Sequence, residues 1–520
     1  MGDPENSQAI RDILKGTGVV SFGFVLEIVV AFVAQVLAAR YLTTAGFGGL
    51  TVGTAVVSIG AILGGLGLQP GLLRYLPRLN GVDEQSQVAQ SAFLLSIPLS
   101  VLVGGLLALN SEFIGGTLFG DPSVSTSIAV FALAIPFATA VNLAIGGIQG
   151  KKNARYRVYI KNLAQPIARF ALVIGAVILG ADQAGFAVAY ALPYVVAAVI
   201  AIWLLTRLLP GMSTVRWPDT SRMRSVIRYS VLMIPTQAAS FVYRSADIFI
   251  VLYFLDSGAV GVYGVAYAAA RLTMVVATGF NYLSTPIASA LESEGEIDAA
   301  VDVHRTIQRW LVITTIPLML PLAIFVDDFI TAVYQPTYVD GALAAATLAL
   351  GFAVNNILML HGNLLQAIGE SRYMATNNVV ASIVNVVLNL FLVPRPEFGI
   401  LGAAIATFIA YLVRGVLTTG QAYYEIGAII LTRRSVAPFF VGIPMLVALI
   451  TLDVWLGVVP DLSLLELTMV TAVFGLAYII AYGVTSGFEP EDSMVLRSVE
   501  ERFEVQLTPL LWFVERFENE

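Results

Sequence analysis

Apolar residues run along this chain in about fourteen long stretches, near 19–39, 49–68, 89–109, 126–148, 163–181, 184–206, 229–254, 259–283, 308–326, 342–366, 374–394, 398–420, 435–455 and 465–485. Short polar connections separate them. Roughly 20 apolar residues are enough for a helix to cross a bilayer. The pattern therefore predicts an all-α polytopic membrane protein with about 14 transmembrane helices. The first stretch carries Glu27 and lacks a small-residue cleavage site, so it reads as a retained span and not as a signal peptide.

The polar punctuation repeats. Gln149, Arg155 and Tyr156 close one stretch and open the next, and Gln366, Arg372 and Tyr373 do so again at the same spacing. Gly185, Ala187 and Ala189 recur as Gly402, Ala404 and Ala406. Upstream, Tyr41-Leu42, Gly48 and Pro70 answer to Phe254-Leu255, Gly261 and Pro286. A long internal repeat in an apolar chain marks a transporter built from two structural halves. The expected organisation is a cytoplasmic segment 1–18, a lobe of six helices over 19–206, and a basic connection 207–228. A second six-helix lobe over 229–420 follows, then helices 13 and 14 within 435–485 and an acidic tail 486–520. With six spans each, the lobes share one orientation, and their pseudosymmetry axis runs along the membrane normal with a cavity between them.

Charge sets the orientation. Lys151, Lys152, Arg155, Arg157 and Lys161 follow span four, and Arg207, Arg216, Arg222, Arg224 and Arg228 follow span six. Arg74, Arg78, Arg305, Arg309, Arg433 and Arg434 also lie in even-numbered connections, whereas the odd-numbered ones offer little beyond Arg40 and Arg395. Cations stay inside, so both termini are expected in the cytoplasm, in a multi-pass protein of the cell membrane.

Composition agrees: 520 residues, 58% apolar and only 12% charged, with mean hydropathy +0.83. Soluble domains carry roughly 25% charged residues. Net charge is −7, and the tail after Gly487 holds nine acids against three arginines, so it carries −6 of it. Its first half, with a helix start near Asp492, reads as a solvated acidic stretch. Its second half presents Leu510, Leu511, Trp512, Phe513 and Phe517, which suit a bilayer surface. Four lysines against twenty-four arginines point to a salt-loving source. Absence of cysteine excludes disulfides and thiol chemistry.

No Walker-type phosphate loop, paired metal-ligand histidines or nucleophile elbow is present, and no metal or other cofactor is expected. His304 falls in a connection and His361 inside span ten. The outer connections near 110–125 and 327–341 are too short for a catalytic domain.

Candidate chemistry therefore lies in the membrane, where a buried charge costs roughly 2.5–3.5 kcal/mol on insertion scales. Glu27 shares its helix with Gly23, Ala31, Ala34 and Ala38; it is either an ion-coupling carboxylate or a packing residue. Arg244 and Asp247 lie three apart on one face of span seven. They form either a self-satisfied pair or a substrate contact with a cation-binding acid beside it. Arg271 has no acid within a turn and is the foremost candidate for a phosphate contact. Arg74 follows Gly67, Pro70 and Gly71, which break the helix before it. Arg40, Arg169 and Arg414 lie nearer span ends, where they can snorkel to the interface. Asn355, Asn356, Asn363, Gln366, Asn377, Asn378, Asn385 and Asn389 either bind sugar hydroxyls in a cavity or tie helices together.

The order of these features resembles the polysaccharide flippases of the multidrug/oligosaccharidyl-lipid/polysaccharide exporter superfamily. The stretches that carry the likeness are Ala39-Arg40-Tyr41-Leu42 through Phe47-Gly48, Leu66-Gly67-Leu68, and Arg74-Tyr75-Leu76. In the second half they are Asp247, Val260-Gly261-Val262-Tyr263 with Ala266, and Gly399 through Thr407. The likeness covers about 19–485. It implies a flippase moving a polyprenyl- or dolichyl-(di)phosphate oligosaccharide from the cytoplasmic to the external leaflet, for glycoprotein or surface polysaccharide assembly. Cationic central cavities belong to this group, which suits Arg271, Arg244 and Arg74, with Asn355, Asn356 and Gln366 as polar contacts. The expected partners are that lipid-linked sugar, membrane lipids and either Na⁺ or H⁺ at Glu27 and Asp247, with no nucleic acid. The alternatives are a cation-coupled multidrug-type antiporter, against which spans thirteen and fourteen count, and a membrane glycosyltransferase using Glu112, Asp327 or Asp328.

Overall fold

The computed structural model describes residues 26–213, 220–275, 297–427, 433–456, 462–485 and parts of 487–517. The N-terminal segment 1–18, the start of span one, the end of span eight with Pro286, Arg216, and the tail acids Glu489, Glu491, Glu501, Glu504, Glu518 and Glu520 lie outside the described residues.

The described chain is almost wholly helical. Helix α1 covers 26–41, followed by α2 (Thr44–Gly65), a short α3 (Leu68–Tyr75), α4 (Val82–Leu109), α5 (Ser125–Gly150), α6 (Gln165–Ile178) and α7 (Gln183–Leu208). Then come α8 (Thr220–Phe254), α9 (Ser257–Arg271), α10 (Ile297–Ile324), a short α11 (Val326–Val333), α12 (Ala342–Ala367) and α13 (Ser371–Leu392). The last are α14 (Gly399–Ile426), α15 (Arg433–Leu456), α16 (Leu464–Thr485) and α17 (Thr508–Arg516). The described part of each of the fourteen expected spans lies mainly on one of these helices, span one being described only from 26 and span eight only to 275. Ten described helices are long and apolar enough to cross a membrane.

The polarity of the bundle is inside out. On α4, Ser86, Ser91, Ser96 and Ser100 are buried, while Leu102 is 57% exposed and Leu109 86% exposed. A water-soluble helix turns its leucines inward; this one turns them to lipid. The serines cost little inside because three of them bond their own helix, Ser86 to the Val82 carbonyl at 2.7 Å, Ser91 to Gln87 at 2.7 Å and Ser100 to Ile97 at 2.8 Å. With lipid as solvent, helices associate through close packing of small residues. Gly53 accordingly receives the Phe131 ring and Gly104 the Ala132 carbonyl.

Two compact units divide the chain. One comprises Phe22–Gly264 and Val386–Ala403. There α5 is the central helix, packed against α2, α3, α4 and α7. The other includes Val265–Asn385 and Ala404–Glu520, where α10 packs against α12, α15 and α16.

Within the first of these units the repeat becomes physical. Thr43 and Asp256, which follow the related Tyr41-Leu42 and Phe254-Leu255, cap α2 and α9 alike. Thr43 Oγ1 accepts from the Gly46 N–H at 3.1 Å, and Asp256 Oδ1 from the Ala259 N–H at 2.7 Å. The two helices then cross at their own equivalent glycines. A Cβ on Gly48 would strike the Ser257 carbonyl, and one on Gly261 would strike the Thr44 carbonyl. Such reciprocity is what a two-fold contact produces. A polar latch lies beside the crossing. Asp121 accepts the Ser257 N–H at 2.8 Å and the Ser123 hydroxyl at 2.6 Å, and the hydroxyls of Ser123 and Ser257 lie 2.9 Å apart. Partial burial opposes the charge on Asp121, but the hydrogen bonds from Ser123 and Ser257 outweigh it and hold its carboxyl below the usual range.

Replacing Gly48 or Gly261 by leucine is expected to destabilise the protein by about 3 kcal/mol, since backbone must move. Gly105→Leu, where a Cβ meets nothing within 4 Å, is the matched control and should be neutral. Thermal unfolding of the purified protein in detergent checks both.

Candidate functional site

Helix α3 exists because the chain breaks just before it. Leu66 and Gly67 both take positive φ, 49° and 68°, and the helix restarts at Leu68 with Pro70 in its first turn. Glycines make the next step possible: side chains at Gly67 or Gly71 would collide with Ser230 of α8. The restart leaves Arg74 exposed in the last turn, its guanidinium 4.4 Å above the Tyr229 ring.

Arg244 and Asp247 share α8 but not a bond. Arg244 is exposed and donates through Nε to the Ser240 carbonyl at 3.1 Å. Asp247 is 3% exposed and accepts from the Tyr263 hydroxyl at 2.5 Å and the Ile248 N–H at 3.0 Å. The self-satisfied pair that the spacing allowed is therefore not what this helix forms, and Tyr263 of α9 takes the place of the arginine.

Glu27 of α1 is half-buried and accepts from Asn162 Nδ2. The sequence reading put Arg155, Arg157 and Lys161 in a polar connection. They lie instead on the continuous helical segment Arg155–Ile178, which passes from an α-turn at Ala154–Arg157 through a π-turn at Val158–Ala164. Lys161 is exposed, within electrostatic reach of Arg157, Glu27 and Arg244. Asn162 and Lys161 were missed because π-turns carry no distinctive residue pattern.

In the other unit, Arg271 is exposed at the C-terminal end of α9, where a helix dipole favours a cation. Gln366 is exposed near the end of α12. Asn355 and Asn356 are buried: Asn355 Oδ1 accepts from Arg414 Nη1 at 3.3 Å, and Asn356 Nδ2 donates to the Thr273 carbonyl at 3.1 Å. The buried Oδ1 of Asn356 has no partner among the described residues. Asn377 bonds Thr418 and Gln421 of α14, and Asn385 bonds Thr407 of the same helix. These amides join helices. Asn363 lies in α12, but its side chain is outside the described residues.

Two further clusters escaped the sequence reading. The chain's only two histidines, His304 of α10 and His361 of α12, bring their rings to 5.5 Å. His361 bonds Gln308 at 3.2 Å and Thr419 at 2.8 Å. The second cluster corrects the reading of the tail. Asp492 is fully buried, not solvated, and pairs with the buried Arg309 at 2.5 Å while accepting from Trp310 Nε1 at 2.7 Å. Phe488 seals it, stacked on Trp310 at 6.1 Å. Asp328 also has a structural task, accepting the Leu462 N–H at 3.0 Å.

Apolar space flanks these groups. A hollow of about 640 Å³ lies between α10 and α16, lined by Pro317, Pro321, Leu467, Gly475 and Leu476. A smaller one of about 340 Å³, bordered by Trp310 and Phe488, shares Pro317, Leu318 and Ile479 with it.

Polar and charged groups set on long apolar helices define a multi-pass membrane protein. The fold agrees with that class. It is similar to the inward closed conformation of the lipid II flippase MurJ, with TM-score 0.69, 13% identity, and coverage of 89% of this chain and 98% of that one. It also resembles an inward-facing multidrug resistance MATE family transporter, with TM-score 0.59, 15% identity, and coverage of 79% and 98%. The sequence matches the polysaccharide biosynthesis protein family over residues 13–292, and the chain belongs to that family. A relative from Haloferax volcanii, named "Probable low-salt glycan biosynthesis flippase Agl15", is 25% identical over 382 residues, 73% of this chain and 77% of the relative.

Asp492→Asn leaves the Arg309 charge buried without its counter-ion and is expected to cost about 3–5 kcal/mol. Replacing both residues together, Arg309→Met with Asp492→Leu, should recover most of that loss. Thermal unfolding of the three proteins in one detergent checks the ordering.

Proposed function

We propose that this chain is a flippase that carries a polyprenyl- or dolichyl-(di)phosphate oligosaccharide from the cytoplasmic to the external leaflet of the cell membrane. The observation that carries the reading is the exposure of Arg74, Arg244 and Arg271 on membrane helices. Guanidinium forks suit phosphate oxygens, and exposed cations on membrane helices suit an anionic cargo. Family membership and the glycan-flippase relative support it. The bias of cations toward the even-numbered connections supports placing both termini in the cytoplasm.

The sugar and phosphate cannot shed water into hydrocarbon unaided. The arginines replace that water for the phosphate, and Gln366, with Asn355 and Asn356, serves the sugar. The lipid tail stays in apolar surroundings, for which the hollow along α10 and α16 is suited. Access alternates between the two faces; the Gly48–Gly261 crossing and the Asp121–Ser257 latch close the outer one and part when it opens. Glu27 and Asp247 couple the cycle to Na⁺ or H⁺, as carboxylates held inside a bilayer commonly do. The antiporter reading keeps one point in its favour, the likeness to the MATE fold.

The test is transport by the purified protein in liposomes containing a fluorescent lipid-linked oligosaccharide, with a membrane-impermeant quencher outside. Protein-dependent exchange between leaflets is expected. Arg271→Ala should slow it at least tenfold and Arg271→Lys should retain part of it. Glu27→Gln should remove the dependence on Na⁺ or pH gradients. Absence of exchange together with export of cationic dyes would transfer the reading to the antiporter.

A further inference from the structure

Three helices of one unit bring polar side chains together beside the first turns of α10. His304 and Gln308 come from one face of α10, His361 from α12 and Thr419 from α14. The two imidazoles have their centroids 5.5 Å apart, and His304, Gln308 and His361 are all buried. His361 engages both of its nitrogens: Nε2 lies 3.2 Å from Gln308 Oε1, and Nδ1 lies 2.8 Å from Thr419 Oγ1. Thr419 Oγ1 also lies 2.8 Å from the Gly415 carbonyl, which can only accept. A neutral ring has one N–H and cannot complete this set. Given to Gln308, it makes the Thr419 hydroxyl choose between the ring and Gly415; given to Thr419, it leaves two acceptors facing each other. A second proton on the ring completes all three bonds. His304 Nε2 and Gln308 Nε2 are buried without a partner among the described residues.

An apolar layer lies one turn further along the same three helices. Val301, Leu364, Leu365 and Ala422 are buried against one another there. Few charges surround the pair. On α10 itself Arg305 is half-buried, and Arg309 is taken by Asp492. Helix α12 has no titratable residue besides His361. On α14, Arg414 donates to Asn355 and Glu425 accepts from Tyr373. Of the other helices packed on α10, α15 carries Arg433, Arg434 and Asp453, while α16 carries Glu466, engaged by Ser463, with Tyr478 and Tyr482. The short α11 adds Asp327 and Asp328 at the far end of α10. Neither imidazole has a carboxylate partner among the described residues, and no three metal-ligating side chains gather there. Two imidazoles fall short of the ligand set of a transition metal, whereas a proton needs no more.

We propose that His304 and His361 form a proton-binding site that takes up one proton when the apolar layer parts and gives it back when the layer closes. Magnitudes set the direction. The bond that a neutral ring leaves unmade is worth about 1 kcal/mol, whereas a charged ring without water costs several. The closed site therefore stays neutral and one bond short. Water admitted through the parted layer removes the larger cost, and the ring then takes the proton. Two charges on rings this close repel, so the pair holds one proton and not two. Acid accordingly favours the parted form, and closing the layer expels the proton. Thr419 and Gln308 are positioning residues that fix the His361 ring. What the opening admits rests on the flippase reading; proton uptake by the pair does not.

The chain has only two histidines, so selective isotope labelling of histidine leaves two imidazoles to follow by solid-state NMR of the full protein in liposomes. Between about pH 8 and about pH 5 the pair is expected to take up one proton, both rings responding over the same range. His304→Gln should change the proton affinity of His361 by about tenfold or more. Rings that stay neutral throughout, or a His361 response unaltered in His304→Gln, would overturn the site. The layer is read in Val301→Cys, the single thiol of an otherwise cysteine-free chain. Its labelling by a membrane-impermeant maleimide is divided by that of the unfolded protein at the same pH, which removes the chemistry of the thiol. This ratio should be about tenfold higher near pH 6 than near pH 8, and should vary less than about threefold once His304→Gln is added. Proton uptake with an unchanged ratio would overturn the link to opening. If uptake and labelling behave as expected while leaflet exchange fails at every pH, the proton site stands and the flippase reading falls.

Discussion

Hydrocarbon offers nothing to hydrogen-bond with, and that single constraint decides where every polar group in this chain goes. Serines of α4 turn inward and bond their own backbone; leucines turn outward. Asn377 and Asn385 reach across to α14, so their amides become struts between helices. Arg309 and Asp492 are both buried, and each is tolerable only because the other is there. Since lipid supplies no hydrophobic drive between helices, close approach has to come from shape, and glycines at the crossings provide it.

Under that constraint an exposed charge on a membrane helix has a different meaning from one on a soluble surface. Arg74, Arg244, Arg271 and Lys161 are not satisfied by neighbours in the way that Arg309 is. Arg74 rests on an aromatic face and Arg244 on a backbone carbonyl, contacts that leave most of each guanidinium available. The same logic separates the carboxylates. Asp247 and Asp492 are enclosed and hydrogen-bonded, whereas Glu27 is half-buried and accepts from Asn162.

Spans were legible because twenty apolar residues in a row have few other uses, and the described residues of the fourteen stretches are mainly helical. Helix partners were not legible: a helix apolar on every side carries no periodic stripe to say which face packs. The break before Arg74 could be read from Gly67 and Pro70, residues with a local conformational effect. Lys161 was misplaced because a run of cations resembles a loop and no residue announces a π-turn. Tyr263 as the partner of Asp247, Asp492 as that of Arg309, and the meeting of His304 with His361 all join distant segments, which one sequence does not reveal. Amides were ambiguous for a chemical reason, since the donors that bind a sugar also bind a neighbouring helix.

The repeat ties these levels together. Thr43 and Asp256 cap α2 and α9, Gly48 and Gly261 let those helices touch, and Asp121 bridges to Ser257 beside them. Duplicated helices meet at duplicated glycines, and under the proposed alternating access that contact is the outer closure. Because the chain has no cysteine, a single engineered pair reports on that contact without background. The most direct measurement is leaflet exchange by Ser123→Cys/Ser257→Cys in liposomes, before oxidation, after it, and after reduction. The account predicts a disulfide that stops exchange and a reductant that restores it. A cross-linked protein exchanging at the wild-type rate would contradict it.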